Sequence, residues 1–126
     1  MGVYKGIAQD NVTITSGNAV LNTLAVTGAL SSSAPVTKTL AFTVADTETF
    51  IIVNGGAAVS ATLPAASSWS GRILVIKTIA GFAVTSASSN VIPAAGGAAS
   101  NAIVSGTAGN WALLVSNGTA WVIMAS

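Results

Sequence analysis

The sequence predicts an all-β fold, either a compact antiparallel sandwich or a barrel-like domain, and three observations support this prediction. Apolar residues occur in short runs, at positions 73–76, 111–115 and 121–124. Gly, Ser, Asn or Thr follow each run closely, so each is the length of a strand and far shorter than the roughly 20 apolar residues of a membrane span. Two glycines interrupt the Ala-rich stretch at positions 94–99, so no long helix is expected there.

The composition predicts a chain that is covered by other molecules. The 126 residues suffice for one domain and at most a short arm. Only 6% of the residues are charged, whereas soluble domains average about a quarter. Positions 78–126 hold no charged residue at all. So few charges cannot cover an ordinary monomer, and we expect further copies of the chain or a larger assembly to cover much of its surface.

The composition also excludes several classes of function. The chain has no Cys, which rules out disulfides and thiolate metal sites, and no His, the usual group for proton transfer. Four scattered cations cannot form a basic patch for nucleic acid. The N-terminus shows no secretory signal. We therefore expect no cofactor, no metal site, no nucleic-acid partner and no membrane partner.

Residues 1–36 are predicted to form an extended arm and linker for attachment. Positions 12–15 and 20–27 are β-prone, and the Ser-rich stretch at 31–35 ends in Pro, as flexible linkers often do. A segment this small cannot hold a core alone, so it must pair with another molecule. The predicted attachment residues are Val12, Ile14, Val20, Leu21, Leu24 and Val26.

Residues 37–126 are predicted to form the β domain, because strands and turns alternate at the spacing of a sandwich or barrel. The predicted strands are 37–44, 49–53, 59–63, 72–78, 83–86, 91–92, 103–104, 110–116 and 120–125. The predicted turns are 54–56, 70–71, 80–81, 96–97 and 106–109. The last two strands are predicted to form a hairpin, because Asn117-Gly118 between apolar strands is the strongest short-range hairpin signal.

The sequence predicts that the protein is not an enzyme. Its carboxylates are Asp10, Asp46 and Glu48. In an extended segment, Asp46 and Glu48 would face the same side, as the paired carboxylates of a glycosidase must. Catalytic pairs normally come from separate segments that close a pocket, however, so a solvated turn is the favoured interpretation and no catalytic residue is assigned.

The aromatic residues are the remaining candidates for a site. Trp111 and Trp121 lie in the closing hairpin, where a large ring is normally buried. Trp69 lies in a loop and is predicted to be exposed, as a possible surface contact for a ligand. Arg72 and Lys77 are predicted to lie on opposite faces of one strand, because their separation is odd. The residues predicted to lie in the core or at a subunit interface are Ile73, Val75, Trp111, Leu113, Trp121 and Ile123.

Three stretches, at positions 61–67, 70–77 and 112–123, resemble a module of tailed-bacteriophage virion proteins. In those fibre, spike and head-decoration proteins, a Thr-Leu-Pro-Ala strand is followed by a Gly-Arg strand with a later Lys. The module closes with a hairpin that carries Gly-Thr and then Trp. The resemblance covers residues 37–126 and departs from the usual Ile-Asp-Gly centre at positions 91–97. It implies a homotrimeric β knob on a virion, with no catalytic residues.

Two functions fit this resemblance. The first is a capsid decoration protein (a cement or head-fibre protein) whose residues 1–36 grip the major capsid protein or another virion protein. The short length favours this function. The alternative is a short tail fibre or spike tip that binds a host surface glycan through Trp69 and residues 96–99. A bacterial surface protein that assembles by strand pairing is a third, less favoured interpretation.

Overall fold

The computed structural model describes residues 22–126, and these residues form an all-β fold without an α-helix. Ser31–Ser126 form one compact unit that contains all ten strands. A single 3-10 turn lies at Ala66–Ser68. The strands are β1 (Val36–Lys38), β2 (Phe42–Thr43), β3 (Phe50–Val53), β4 (Val59–Thr62), β5 (Ile73–Thr78), β6 (Val84–Ser86), β7 (Val91–Ile92), β8 (Ala102–Val104), β9 (Trp111–Ser116) and β10 (Trp121–Ala125).

The strands form two mixed sheets, which is compatible with a β sandwich. The six-stranded sheet has the order β1-β3-β5-β9-β10-β7, and the four-stranded sheet has the order β2-β4-β6-β8. Five of the eight pairings are parallel. The prediction of an all-β fold is therefore confirmed, and the prediction that its sheets are antiparallel is wrong.

Four of the five parallel pairings arise because the first six strands alternate between the two sheets. β1, β3 and β5 lie in one sheet, and the strand that follows each of them lies in the other. A parallel partner requires a crossover, and here each crossover is a strand of the opposite sheet. The register places Ile76 beside Ile51 and Val84 beside Val59, 25 positions apart in both sheets. The segment from β3 to β4 therefore matches the segment from β5 to β6, with an offset of 25 positions.

One apolar core lies between the sheets. Alternate residues of the strands point inward, as the period of a strand requires. Trp121, Leu74 and Leu114 have no exposed surface. The buried cluster draws on both sheets and joins them into one unit: Val44, Ile51, Val53, Val59, Ala61, Leu63, Ala66, Leu74, Ile76, Val84, Val91, Ile103, Val104, Ala112, Leu114, Trp121 and Ile123.

Most predicted strands and the closing hairpin are confirmed. The exception is the strand predicted at 37–44, which divides into β1 and β2 because the chain leaves one sheet and enters the other between them. In the hairpin, the Asn117 N–H donates to the carbonyl oxygen of Ala120 at 3.1 Å. The Asn117 Oδ1 accepts the N–H groups of Thr119 and Ala120. Gly118 takes a φ of 89°, a left-handed conformation that favours glycine.

The three stretches that carry the phage resemblance meet at one place in the fold. The Trp121 Nε1–H donates to the carbonyl oxygen of Pro64 at 2.9 Å. The buried Ser116 hydroxyl donates to the carbonyl oxygen of Ala66 at 2.8 Å, and the Gly71 N–H donates to the carbonyl oxygen of Ser116. The stretch at 112–123 therefore forms hydrogen bonds with both of the others.

The turn between β3 and β4 packs closely against the segment that joins β1 to β2, and a substitution can test this contact. A Cβ at Gly55 would lie 2.5 Å from the Thr39 carbonyl oxygen, whereas nothing lies within 4 Å of a Cβ at Gly56. We expect Gly55→Ala to lower the free energy of unfolding by about 1–3 kcal/mol, because backbone would have to move. Gly56→Ala is the matched control and should change it by less than about 0.5 kcal/mol. Equal effects in denaturant unfolding would contradict the close approach at Gly55.

Candidate functional site

The outer face of the six-stranded sheet is apolar and contains one charged residue. Ile73 is 49% exposed, Met124 65% and Trp111 40%. We call this surface the apolar face; its members alternate along the strands with core residues. They are Thr37, Phe50, Ile52, Ile73, Val75, Lys77, Ile92, Trp111, Leu113, Val115, Val122 and Met124.

The members of the apolar face are direct neighbours across the strands. The pairing register sets Ile73 beside Val115, Val115 beside Val122 and Val122 beside Ile92. A second row places Leu113 beside Val75 and Val75 beside Phe50. Apolar side chains in such rows form a continuous surface, and contiguous apolar surfaces on soluble proteins mark sites of interaction.

The outer face of the four-stranded sheet has different chemistry. Its outward positions alternate with the core residues of β4 and β6 and carry small or hydroxyl side chains. They are Thr43, Ser60, Thr62, Thr85 and Ala102. Hydroxyl groups are readily hydrated, so this hydroxyl face can remain in water at little cost. Of the two outer sheet faces, that of the six-stranded sheet is therefore the strongly apolar one.

The residues predicted for the core or a subunit interface divide into two groups. Trp121 and Ile123 belong to the core, with 0% and 9% exposure. The other four, Ile73, Val75, Trp111 and Leu113, lie on the apolar face. Of the predicted attachment residues, Leu24 and Val26 are 67% and 47% exposed. Val12, Ile14, Val20 and Leu21 lie outside the described residues.

Four of the five charged residues within 22–126 form one network, which sequence reasoning missed. The Lys38 Nζ donates to Glu48 Oε1 at 2.6 Å, and the Ala45 N–H donates to Glu48 Oε2 at 2.9 Å. The Arg72 Nη2 donates to the carbonyl oxygens of Ala45 and Glu48, at 2.6 and 2.8 Å. The network holds the turn before β3 against β1 and β5. The fifth residue, Lys77, lies on the apolar face.

The structure places the side chains of Asp46 and Glu48 in different surroundings rather than on one side of an extended segment. The chain turns at Asp46 and Thr47, and the two side chains have opposite environments. The Asp46 carboxylate is 76% exposed, and that of Glu48 is 10% exposed. Burial alone raises the pKa of Glu48, but the hydrogen bonds from Lys38 and Ala45 and the charges of Lys38 and Arg72 outweigh it and lower this pKa.

The lowered pKa of Glu48 predicts a loss of stability in acid. The stabilisation is complete above the unfolded pKa of a glutamate, about 4.3, and is lost as the pH falls through the lower pKa of the folded state. Glu48→Gln should be less stable than the wild type at pH 7 and should show a flatter decline below about pH 4.3. Denaturant midpoints between pH 7 and 2.5 measure this; parallel curves for the two proteins would contradict it.

Trp69 is half-buried and borders a shallow groove. The Arg72 guanidinium lies over its ring, 4.5 Å from the centroid. The groove has a volume of about 460 Å³, and its lining includes Asp46, Thr49, Ser70 and Ile73. Trp69 was predicted to be exposed, but the anchored Arg72 covers part of the ring. The other loop predicted to contact a ligand, residues 96–99, is exposed.

Comparisons with known proteins found no relative of this chain. No model of a protein family, no curated protein and no solved structure matches this chain. Within residues 22–126, no three Asp, Glu, His or Cys side chains form a group that could hold a metal ion. No helix in the same part of the chain is long and apolar enough to cross a membrane.

Proposed function

We propose that the chain is a non-enzymatic structural protein of a tailed-bacteriophage virion, namely a capsid decoration protein. Copies associate through the apolar face into a homotrimer, and residues 1–36 attach it to the major capsid protein or another virion protein. The observation that carries the self-association is the apolar face, which bears a single charge. The resemblance of residues 37–126 to phage virion proteins supports the location on a virion and the trimeric state.

The physical argument for association rests on burial. Removal of apolar surface from water stabilises a contact by about 25 cal/mol per Å². Interface cores are depleted in charged residues and enriched in aromatic residues and Met. The apolar face has this composition, with Phe50, Trp111 and Met124 each at least 39% exposed. The network at Glu48 also places most charges away from this face.

Light scattering behind a sizing column tests the self-association. We expect a mass of three times the 12.3 kDa chain. Leu113→Glu adds a charge to the apolar face and should dissociate the trimer while the chain stays folded by circular dichroism. Thr62→Glu adds the same charge to the hydroxyl face and should leave the mass unchanged. A monomeric wild type would contradict the proposal.

Truncation tests the attachment. A chain that begins at Ser31, the start of the compact unit, should keep its fold and its trimeric state. It should no longer co-sediment with capsids of the phage that encodes it, because the attachment residues are gone. Equal co-sedimentation of the truncated and full-length chains would show that attachment lies elsewhere.

The groove beside Trp69 favours a second candidate, a short tail fibre or spike tip that binds a host glycan. An aromatic ring, a carboxylate and the hydroxyls of Thr49 and Ser70 meet there, and sugars bind such combinations of apolar surface and convergent polar groups. Trp69→Ala should then abolish binding to host surface polysaccharide without a change in mass. Unchanged binding would remove this candidate.

A further inference from the structure

We propose that Lys77 of one copy inserts into the groove beside Trp69 of the next copy and pairs with its Asp46. This inference rests on the proposed self-association and specifies its geometry. The contact is heterologous, because two different patches of the chain meet. The occupant of the groove is the lysine side chain of a second copy.

Lys77 needs a carboxylate if the apolar face is buried. Its cross-strand neighbours are Ile52 on β3 and Trp111 on β9, and no residue within 22–126 forms an ion pair with it. An ammonium group buried among apolar side chains without a partner carries a large desolvation cost. The apolar face itself includes no acidic residue. The partner copy must therefore supply the negative charge.

Asp46 has the properties of that missing partner. Its carboxylate is 76% exposed, whereas Glu48 is buried and already bonded to Lys38. The Asp46 Oδ1 lies 3.9 Å from Arg72 Nη1, a long ion pair without a hydrogen bond, so the carboxylate can still accept hydrogen bonds from a second cation. Among residues 22–126, Lys77 is thus the exposed cation and Asp46 is the exposed carboxylate.

The groove that Asp46 lines also suits a lysine side chain. Its volume of about 460 Å³ exceeds that of the side chain. The Trp69 ring lies at the edge of this groove. Its π electrons attract a cation, and its surface packs against the apolar stem of a lysine side chain. Arg72 holds that ring in place, and its own position is fixed by the carbonyl oxygens of Ala45 and Glu48. The receptor for the lysine is therefore preorganised.

The positions of the two patches are compatible with a ring of copies. Ile73 belongs both to the groove lining and to the apolar face, so the two surfaces are continuous. Ile73 and Lys77 lie at opposite ends of β5, about 13 Å apart at strand spacing. A two-fold contact would also bring Lys77 of each copy to Asp46 of the other, but the proposed trimer requires a head-to-tail contact. A head-to-tail contact supplies Asp46 to every copy, and it closes into a ring where the rotation between copies allows it.

Charge reversal tests this pairing in the full-length chain. K77D and D46K should each weaken association about tenfold or more, measured as the dissociation constant by sedimentation across a dilution series. The double variant K77D/D46K should restore the constant to within about threefold of the wild type, because every contact in the ring regains opposite charges. T62K adds a charge to the hydroxyl face and should leave association unchanged. Circular dichroism checks the fold of each variant.

The outcomes separate this inference from the proposed function. A monomeric wild type overturns the self-association and this contact with it. An associated wild type whose two single variants keep its dissociation constant overturns the Lys77–Asp46 contact alone. Weakened single variants with no recovery in the double variant also overturn it, because the two residues then do not meet. Weakening with recovery supports it.

Discussion

Replacement of Trp121 by alanine is expected to lower the free energy of unfolding by about 3–5 kcal/mol. The Trp121 side chain has no exposed surface and belongs to the core cluster that joins the sheets. Its Nε1–H also donates to the carbonyl oxygen of Pro64 at 2.9 Å. The substitution thus leaves a large cavity. It also leaves the Pro64 carbonyl oxygen, in the crossover between β4 and β5, without its hydrogen-bond donor.

Two matched variants separate the causes of that loss. Trp111→Ala removes the same ring from the apolar face, where it is 40% exposed, and should cost under about 1.5 kcal/mol. Trp121→Phe keeps much of the apolar volume and removes the donor, so its loss should lie between the two. All are measured by denaturant unfolding at a low protein concentration where the chain is dissociated, because association adds to apparent stability. A loss below 1 kcal/mol for Trp121→Ala would place the ring outside the core.

The positions of the strands could be predicted from the sequence, but their pairing could not. Short apolar runs and Gly-rich turns are local signals, and the Asn117-Gly118 hairpin is the most local of them. Parallel pairing depends on contacts between distant segments. A signal for it was nevertheless present: Val59 and Val84 stand 25 positions apart and pair, as do Ile51 and Ile76.

The candidate site was predicted in part. Six residues were assigned to the core or an interface, but alternation did not separate them, because 112–115 is apolar at both odd and even positions. The pairing of Trp121 with the buried Ser116 places Trp121 inward. The network at Glu48 was not predictable, since Lys38 and Arg72 come from distant strands and a lone glutamate beside Asp46 is typical of a solvated turn.

Replacement of Arg72 by methionine is expected to lower the free energy of unfolding by about 3 kcal/mol, because hydrogen bonds from a charged donor contribute about 1.5–3 kcal/mol each. The Arg72 side chain is 9% exposed. Its Nη2 donates to the carbonyl oxygens of Ala45 and Glu48, and both would lose this donor. Methionine retains most of the apolar stem, so the loss reports on the guanidinium rather than on packing.

Arg72→Lys is the matched variant, because it keeps the charge and removes the planar fork. A lysine cannot both span the two carbonyl oxygens and stack flat on Trp69, so we expect it to recover less than half of the loss. The charge effect has a separate readout: Arg72 helps to lower the pKa of Glu48, so the loss of stability below about pH 4.3 should be smaller in Arg72→Met than in Arg72→Lys. Denaturant unfolding between pH 7 and 2.5 measures both quantities. If Arg72→Met costs under 1 kcal/mol, water replaces the guanidinium freely and the network does not fix the turn that carries Asp46.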